Sequence, residues 1–229
     1  MTTLEALERE RQATLKAIVS SDNGKGKDSQ ERRQQLAKDL TSFGALVLDE
    51  KTQVCKSVQE ACAAPSSAAV RLELSYRTLS TLPAEACLSN LAELSLVGND
   101  LEALPDALSH CRKLRSLALG ANRLKVLPDL AQVPLLHLGM GCNDVDDSSL
   151  PVLLSGLPSK LASFDLSTNG LCHLDATLHQ LQALRALRHL TLAGNPLCVR
   201  RGYRKAVLAT ASGGRLALLD GTPSPTKPT

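Results

Sequence analysis

His137, Ser163 and His189 stand 26 residues apart from one another. A serine between two histidines is the arrangement in this chain closest to a nucleophile with its base. Acyl transfer would also need a carboxylate in line with the histidine and donors facing the developing oxyanion. Asp165 lies one position to the side of that row, and no oxyanion donor accompanies Ser163. Exposed polar residues on a binding face are the better account. Metal binding by the two histidines fares no better. With one intervening strand they would lie about 10 Å apart, too far to share an ion.

Two other stretches invite chemistry. Asp22-Asn23-Gly24-Lys25-Gly26-Lys27 has the glycines and lysines of a phosphate loop but not its spacing, and it follows a helical pattern rather than a strand. It reads as a flexible link. Seven cysteines are scattered without a C-x-x-C pair. That usage fits free thiols in a reducing compartment. No catalytic or metal residue is assigned, no cofactor is expected, and the chain reads as non-enzymatic.

The elements that position these residues follow from a repeat. Leu91-x-x-Leu94-x-Leu96-x-x-Asn99-x-Leu101 recurs from Leu114, Leu135, Leu161 and Leu187, with Asn122, Asn143, Asn169 and Asn195 in register. The Asn-to-Asn intervals are 23, 21, 26 and 26 residues. A degenerate copy with Leu72 and Leu74 leads, and another at Leu216-x-Leu218 trails, with Gly221 in the place of Asn. Each L-x-L core predicts a short strand with its leucines inward. Parallel stacking of such strands buries a face that one repeat alone leaves exposed. Each Asn side chain can satisfy backbone groups where the chain leaves the strand. The fold class is α/β: a leucine-rich repeat solenoid with a parallel β-sheet on its concave face. Composition agrees, with 43% hydrophobic residues and only 2% aromatics, which requires an aliphatic core. Leu82-Pro83, Leu104-Pro105 and Leu127-Pro128 predict short convex turns. The 26-residue intervals leave room for helix, and Leu178, Leu181, Leu184 and Leu187 suit one helical face.

The same register lists the outward strand positions. Arg71, Glu73 and Glu93 put charge at one end, and Arg215 puts it at the other. Ser95, Ser116, Ala118, Gly120, Gly139 and Gly141 make the middle small, with Val97 beside them. His137, Ser163, Asp165 and His189 follow. Small residues let a second backbone approach, so a shallow groove for a partner helix or loop is expected. A merely solvated face with contacts on the edges is the alternative.

The ends differ from the middle. Residues 1–63 lack the repeat and read as an N-terminal helical segment. Leu4, Leu7, Leu15 and Ile18 form one stripe, and Leu36, Leu40, Phe43 and Val47 a better one. A helix near 50–63 is expected to cap the first repeat. The helix before the glycines is either a docking helix or one arm of a hairpin on that cap. Residues 64–221 form the repeat domain, closed by a short helix and a final strand. The Pro-rich residues 222–229 read as a disordered tail. Arg200, Arg201, Arg204 and Lys205 make a basic knot on the cap, read as a solvated helix face. A net charge of +3 with so few aromatics does not suggest nucleic acid. No signal sequence or membrane-spanning run is recognised.

The five Asn ladders and the end pattern Gly194-Asn195-Pro196-Leu197, Tyr203-Arg204, Leu218-Leu219-Asp220-Gly221 resemble the intracellular leucine-rich repeat proteins with a C-terminal cap. Leu187-Arg188-His189-Leu190 through Asn195-Pro196-Leu197-Cys198, followed by Tyr203-Arg204, is most similar to ciliary members such as the leucine-rich light chain of axonemal dynein. The intervals of 26 depart from the strict 22-residue type. The resemblance implies a protein-binding scaffold in a cytoplasmic ciliary axoneme complex, held by a helix or loop of a larger axonemal subunit. It leaves open a regulatory subunit on an enzyme such as a protein phosphatase, or a spliceosomal subunit. No nucleic acid or membrane is among the partners it implies.

Overall fold

The computed structural model describes residues 53–57, 70–80 and 90–224. The helical stripes of residues 1–47, the glycine link and the Leu82-Pro83 turn lie outside the described residues.

One sheet runs through the described residues, and its strands lie side by side in chain order. They are β1 (Gln53–Cys55), β2 (Val70–Glu73), β3 (Leu91–Ser95), β4 (Ser116–Ala118), β5 (His137–Gly139), β6 (Ser163–Asp165), β7 (His189–Thr191), β8 (Leu218–Leu219) and β9 (Thr222–Pro223). Every pair from β1 to β8 is parallel. The register stacks Leu72, Leu94, Leu117, Leu138, Phe164, Leu190 and Leu219 in one row. All seven are buried. Leu96, Leu119, Met140, Leu166 and Leu192 form a second buried row, and Leu101, Leu124, Val145, Leu171 and Leu197 a third. Each buried leucine contributes roughly 1.5–3 kcal/mol. No single repeat could supply enough of this burial by itself.

The convex side follows repeat length. After Pro105, Asp106–His110 forms a single 3-10 turn that buries Leu108. The two longer intervals hold α1 (Leu150–Ser155) and α2 (Leu174–Leu181). α2 buries Leu174, Leu178 and Leu181, spaced i, i+4 and i+7. It stops at Leu181. Leu184 and Leu187 are buried too, but through the turns that follow the helix rather than on its face. The expected cap helix is α3 (Tyr203–Thr210).

The asparagines work as the sequence suggests. Asn143 Oδ1 accepts the Leu124 N–H at 3.0 Å, and its Nδ2 donates to Leu119 O at 3.0 Å and Met140 O at 3.1 Å. Asn99, Asn122, Asn169 and Asn195 each reach back one repeat in the same way. The residue before each Asn carries a constraint that the leucine pattern does not announce. Gly98, Ala121, Cys142, Thr168 and Gly194 all have positive φ, as does Tyr76 at the same position of the leading copy. A left-handed residue ends each strand and aims the Asn inward.

Three expectations need correction. Gln53–Cys55 is a strand, not part of a capping helix, because it pairs in parallel with β2. That pairing gives the backbone of β2 a partner on its outer side. The last parallel strand is Leu218–Leu219 rather than one led by Leu216. Leu219, not Leu216, continues the buried row beside Leu190. The segment read as a disordered tail opens with β9, which folds back antiparallel on β8. Asp220 and Gly221 have φ of 50° and 70°, the signature of a tight two-residue hairpin turn. Residues 225–229 lie outside the described residues.

Candidate functional site

Period-two alternation along each strand turns one residue in two toward the concave face, and the parallel register aligns them in rows. The first row reads Arg71, Glu93, Ser116, His137, Ser163, His189 and Leu218. Beside it run Glu73, Ser95, Ala118, Gly139, Asp165 and Thr191. Ten of the twelve expected surface residues therefore fall in register. Gly120, two residues beyond Ala118 on the exit from β4, lies at the rim of the same groove.

Arg215 does not belong to these rows. The three-residue shift of the last strand places it in the exposed turn before β8. Its outward position is held by Leu218, opposite His189. Val97, expected to face outward, is buried with Ala121 against Tyr76, Ala118 and Cys142. The tyrosine ring covers that rim, and a Cβ on Gly98 would stand 2.5 Å from it. Tyr76 was missed because nothing in the repeat pattern distinguishes it.

The centre of the face is a shallow groove lined by Ser116, Ala118, Gly120, His137, Gly139 and Asp165, among others. Its cavity volume is about 50 Å3, against the roughly 300 Å3 or more of a small-molecule site. Space is open above Gly139, where an added Cβ would meet only the Ala118 Cα at 3.9 Å. Gly141 is different, because a Cβ there would lie 2.6 Å from Ser167 Oγ.

Electrostatics divide the face. At the β2–β3 end, Arg71 stands 3.6 Å from Glu73 and 3.7 Å from Glu93. Ser75 bonds Glu73 and lies 2.8 Å from Ser95 Oγ. Burial raises the Glu93 carboxyl, and the Arg71 guanidinium opposes that shift. Farther along, burial lowers His137. Burial, and then the neighbouring His137, lower His189. Both shifts favour the uncharged ring. No hydrogen bond joins Ser163 Oγ to either ring, so the row lacks the contact an activated nucleophile needs. Among the described residues no cluster of three metal-ligating side chains occurs. The described cysteines form no disulfide. What the site offers is an aligned, mostly neutral sheet face with a glycine floor, which suits a polypeptide rather than a small substrate.

The basic knot on the cap is dispersed. Arg204 donates to the carbonyls of Leu219, Thr222 and Pro223 at 3.0, 3.2 and 2.8 Å. Arg200 pairs with Asp175 at 3.0 Å.

The chain folds as a leucine-rich repeat solenoid, and two of the proteins it resembles are named for that repeat. No protein-family model matches it. It is 32% identical over 121 residues to human PH domain leucine-rich repeat-containing protein phosphatase 1, covering 51% of this chain and 7% of that protein. Over 123 residues it is 34% identical to U2 small nuclear ribonucleoprotein A′ of Candida glabrata, covering 52% and 44%. Over 135 residues it is 36% identical to human leucine-rich repeat-containing protein 43, covering 57% and 20%. The chain thus spans less than half the length of each of these curated relatives. The solved Drosophila melanogaster SNF/U2A′ complex contains a chain matched at 21% identity with a TM-score of 0.43, covering 67% of this chain and 74% of that one.

Proposed function

We propose that this protein is a non-catalytic scaffold whose concave sheet receives a helix or loop of a larger protein. The carrying observation is the open floor at Gly139, set between the aligned rows of β4 and β6. A partner backbone can approach there, and the partner supplies most of the large side chains. Replacing Gly139 with Arg fills the groove and leaves the core rows untouched. Partner binding should fall at least tenfold while the thermal midpoint holds. Unchanged binding removes the groove from the interface.

The assembly we propose is a ciliary axoneme complex in the cytoplasm. The support is the resemblance carried by Leu187 through Cys198 with Tyr203-Arg204. A second reading, a regulatory subunit on a phosphatase or in the spliceosome, is favoured by the likeness to a leucine-rich repeat phosphatase and to the U2 A′ protein. Affinity purification of the native protein separates them. Axonemal subunits in the eluate support the first. Splicing components or a phosphatase without axonemal proteins overturn it in favour of the second.

A further inference from the structure

The four residues that lead into each strand reveal a charged edge distinct from the groove. They are Arg112–Arg115, Val133–Leu136, Ser159–Ala162, Arg185–Arg188 and Gly214–Ala217, before β4 to β8. These segments contain seven Lys or Arg (Arg112, Lys113, Arg115, Lys160, Arg185, Arg188, Arg215) and no Asp or Glu. Their third residues, Leu114, Leu135, Leu161, Leu187 and Leu216, are all buried. That fixed anchor sets the phase of every segment, so its remaining positions lie along one lateral edge of the solenoid. Backbone bonds continue the alignment: Leu136 N donates to Arg115 O, Ala162 N to Leu136 O, Arg188 N to Ala162 O and Ala217 N to Arg188 O. All seven cationic residues are exposed. Arg112, Arg115, Lys160, Arg188 and Arg215 pair with no carboxylate among the described residues.

The opposite edge, where the chain leaves the strands, is built differently. It carries Asp100, Glu102, Asp144, Asp146 and Asp147 against Arg77, Arg123 and Lys125, and Arg123 is paired with Asp100 at 3.1 Å. The two lateral edges thus carry opposite charge. On the entry edge, adjacent strands are about 4.8 Å apart, so the cations before β6, β7 and β8 lie within the roughly 8 Å screening length of physiological salt, while the uncharged segment before β5 sets those of β4 two intervals away. Neighbouring cations there add their fields rather than acting singly.

We propose that the strand-entry edge binds an acidic, extended polypeptide segment, a second contact beyond the concave groove. Four strand intervals from β4 to β8 span about 19 Å, which an extended segment of about six residues covers. A polypeptide is favoured over single-stranded nucleic acid because these segments hold no aromatic residue on which a base could stack.

The test uses the full chain and a fluorescent octaglutamate peptide, read by anisotropy at low and physiological salt. Binding should appear at low salt, weaken as salt rises, and drop roughly tenfold or more in the triple variant Arg115→Glu, Lys160→Glu, Arg215→Glu. Lys125→Glu, on the opposite edge, should bind as the parent does. Thermal midpoints of all variants should match, because every altered side chain is exposed. A neutralised triple variant with Gln at the same positions should fall between parent and reversal. Absence of octaglutamate binding at low salt, or equal binding by the reversed variant, overturns the proposal. Single-stranded RNA or duplex DNA of equal charge displacing the peptide at equal salt also overturns it, and assigns the edge to nucleic acid.

Discussion

At Asn143, in the middle of the stack, one side chain accepts from the preceding repeat and donates both to that repeat and to its own. At Asp220, where the stack stops, the side chain only accepts. Its Oδ1 takes the Leu192 and Ala193 N–H groups at 2.8 and 2.9 Å, and its Oδ2 takes the Tyr203 hydroxyl at 2.8 Å. The difference follows from what each position lacks. Inside the stack the next strand provides carbonyls, as when Leu166 N donates to Thr191 O, and the Asn amide serves the turn. Beside β7 lies only the two-residue β8, which turns at once into its hairpin with β9, and the Asp220 carboxylate replaces the missing carbonyls. An interior rung needs a donor and an acceptor on one side chain, whereas the closing rung needs two acceptors.

That contrast can be broken or sharpened by substitution. Asn143→Leu should cost the most, about 3 kcal/mol, because it strands the buried Leu124 N–H and removes one of the two amide bonds at each of the Leu119 and Met140 carbonyls, which keep only Asn122 and Asn169. Chemical denaturation measures it, and a loss below about 1 kcal/mol would show that the turn needs no amide. Asp220→Ala should cost about 2 kcal/mol by orphaning two amides, while Asp220→Asn keeps one acceptor and should recover at least half of that. Equal losses in the two variants would deny the acceptor role. Gly98→Ala should cost about 2 kcal/mol, from its φ of 71° and from the Tyr76 ring 2.5 Å from the new Cβ. Adding Tyr76→Ala should relieve the clash but not the backbone strain, and a double-mutant cycle reads the two apart. Tyr203→Phe should cost about 1 kcal/mol, the hydroxyl being the smaller of the contributions at the closing rung.

The smallest effect concerns pH. Hydrogen bonds from the Ser148 side chain, and then from Ser149, hold Asp146 down at about 2. A depressed carboxyl stabilises the fold fully above its unfolded value near 3.8. That contribution is lost as pH falls through about 2. Asp146→Asn should therefore lower stability by a constant amount from neutrality down to about pH 4 and converge on the parent as pH falls toward about 2. A parallel loss at all pH values would contradict this assignment.

The interior of the solenoid was legible in the sequence because the same position of each repeat meets the same surroundings. Leu94, Leu117, Leu138 and Leu190 declare the register, and alternation then gives the concave rows. The ends were less legible for the converse reason. Leu216, Leu218 and Leu219 are three leucines in four residues, and spacing alone cannot choose which pair seats beside Leu190. The Asp220-Gly221 hairpin decides it, by fixing Leu219 opposite Thr222. β1 has no repeat leucine to announce it, and its pairing with β2 is a long-range event. The left-handed position before each Asn was hidden because Ala121, Cys142 and Thr168 adopt it as well as glycine does. Among the candidate surface residues, those from Arg71 to His189 needed only strand phase. Arg215 needed the end of the stack and was misplaced with it.

Arg204 has a bearing on how copies of this molecule meet one another. A sheet that finishes on an open strand is a template for head-to-tail fibres. Here the last strand ends on Pro223, which has no amide hydrogen to offer. The guanidinium of Arg204 already occupies the Thr222 and Pro223 carbonyls. An incoming strand finds no proton on Pro223 and must share both carbonyls with Arg204, so the terminus is a poor template for fibril growth.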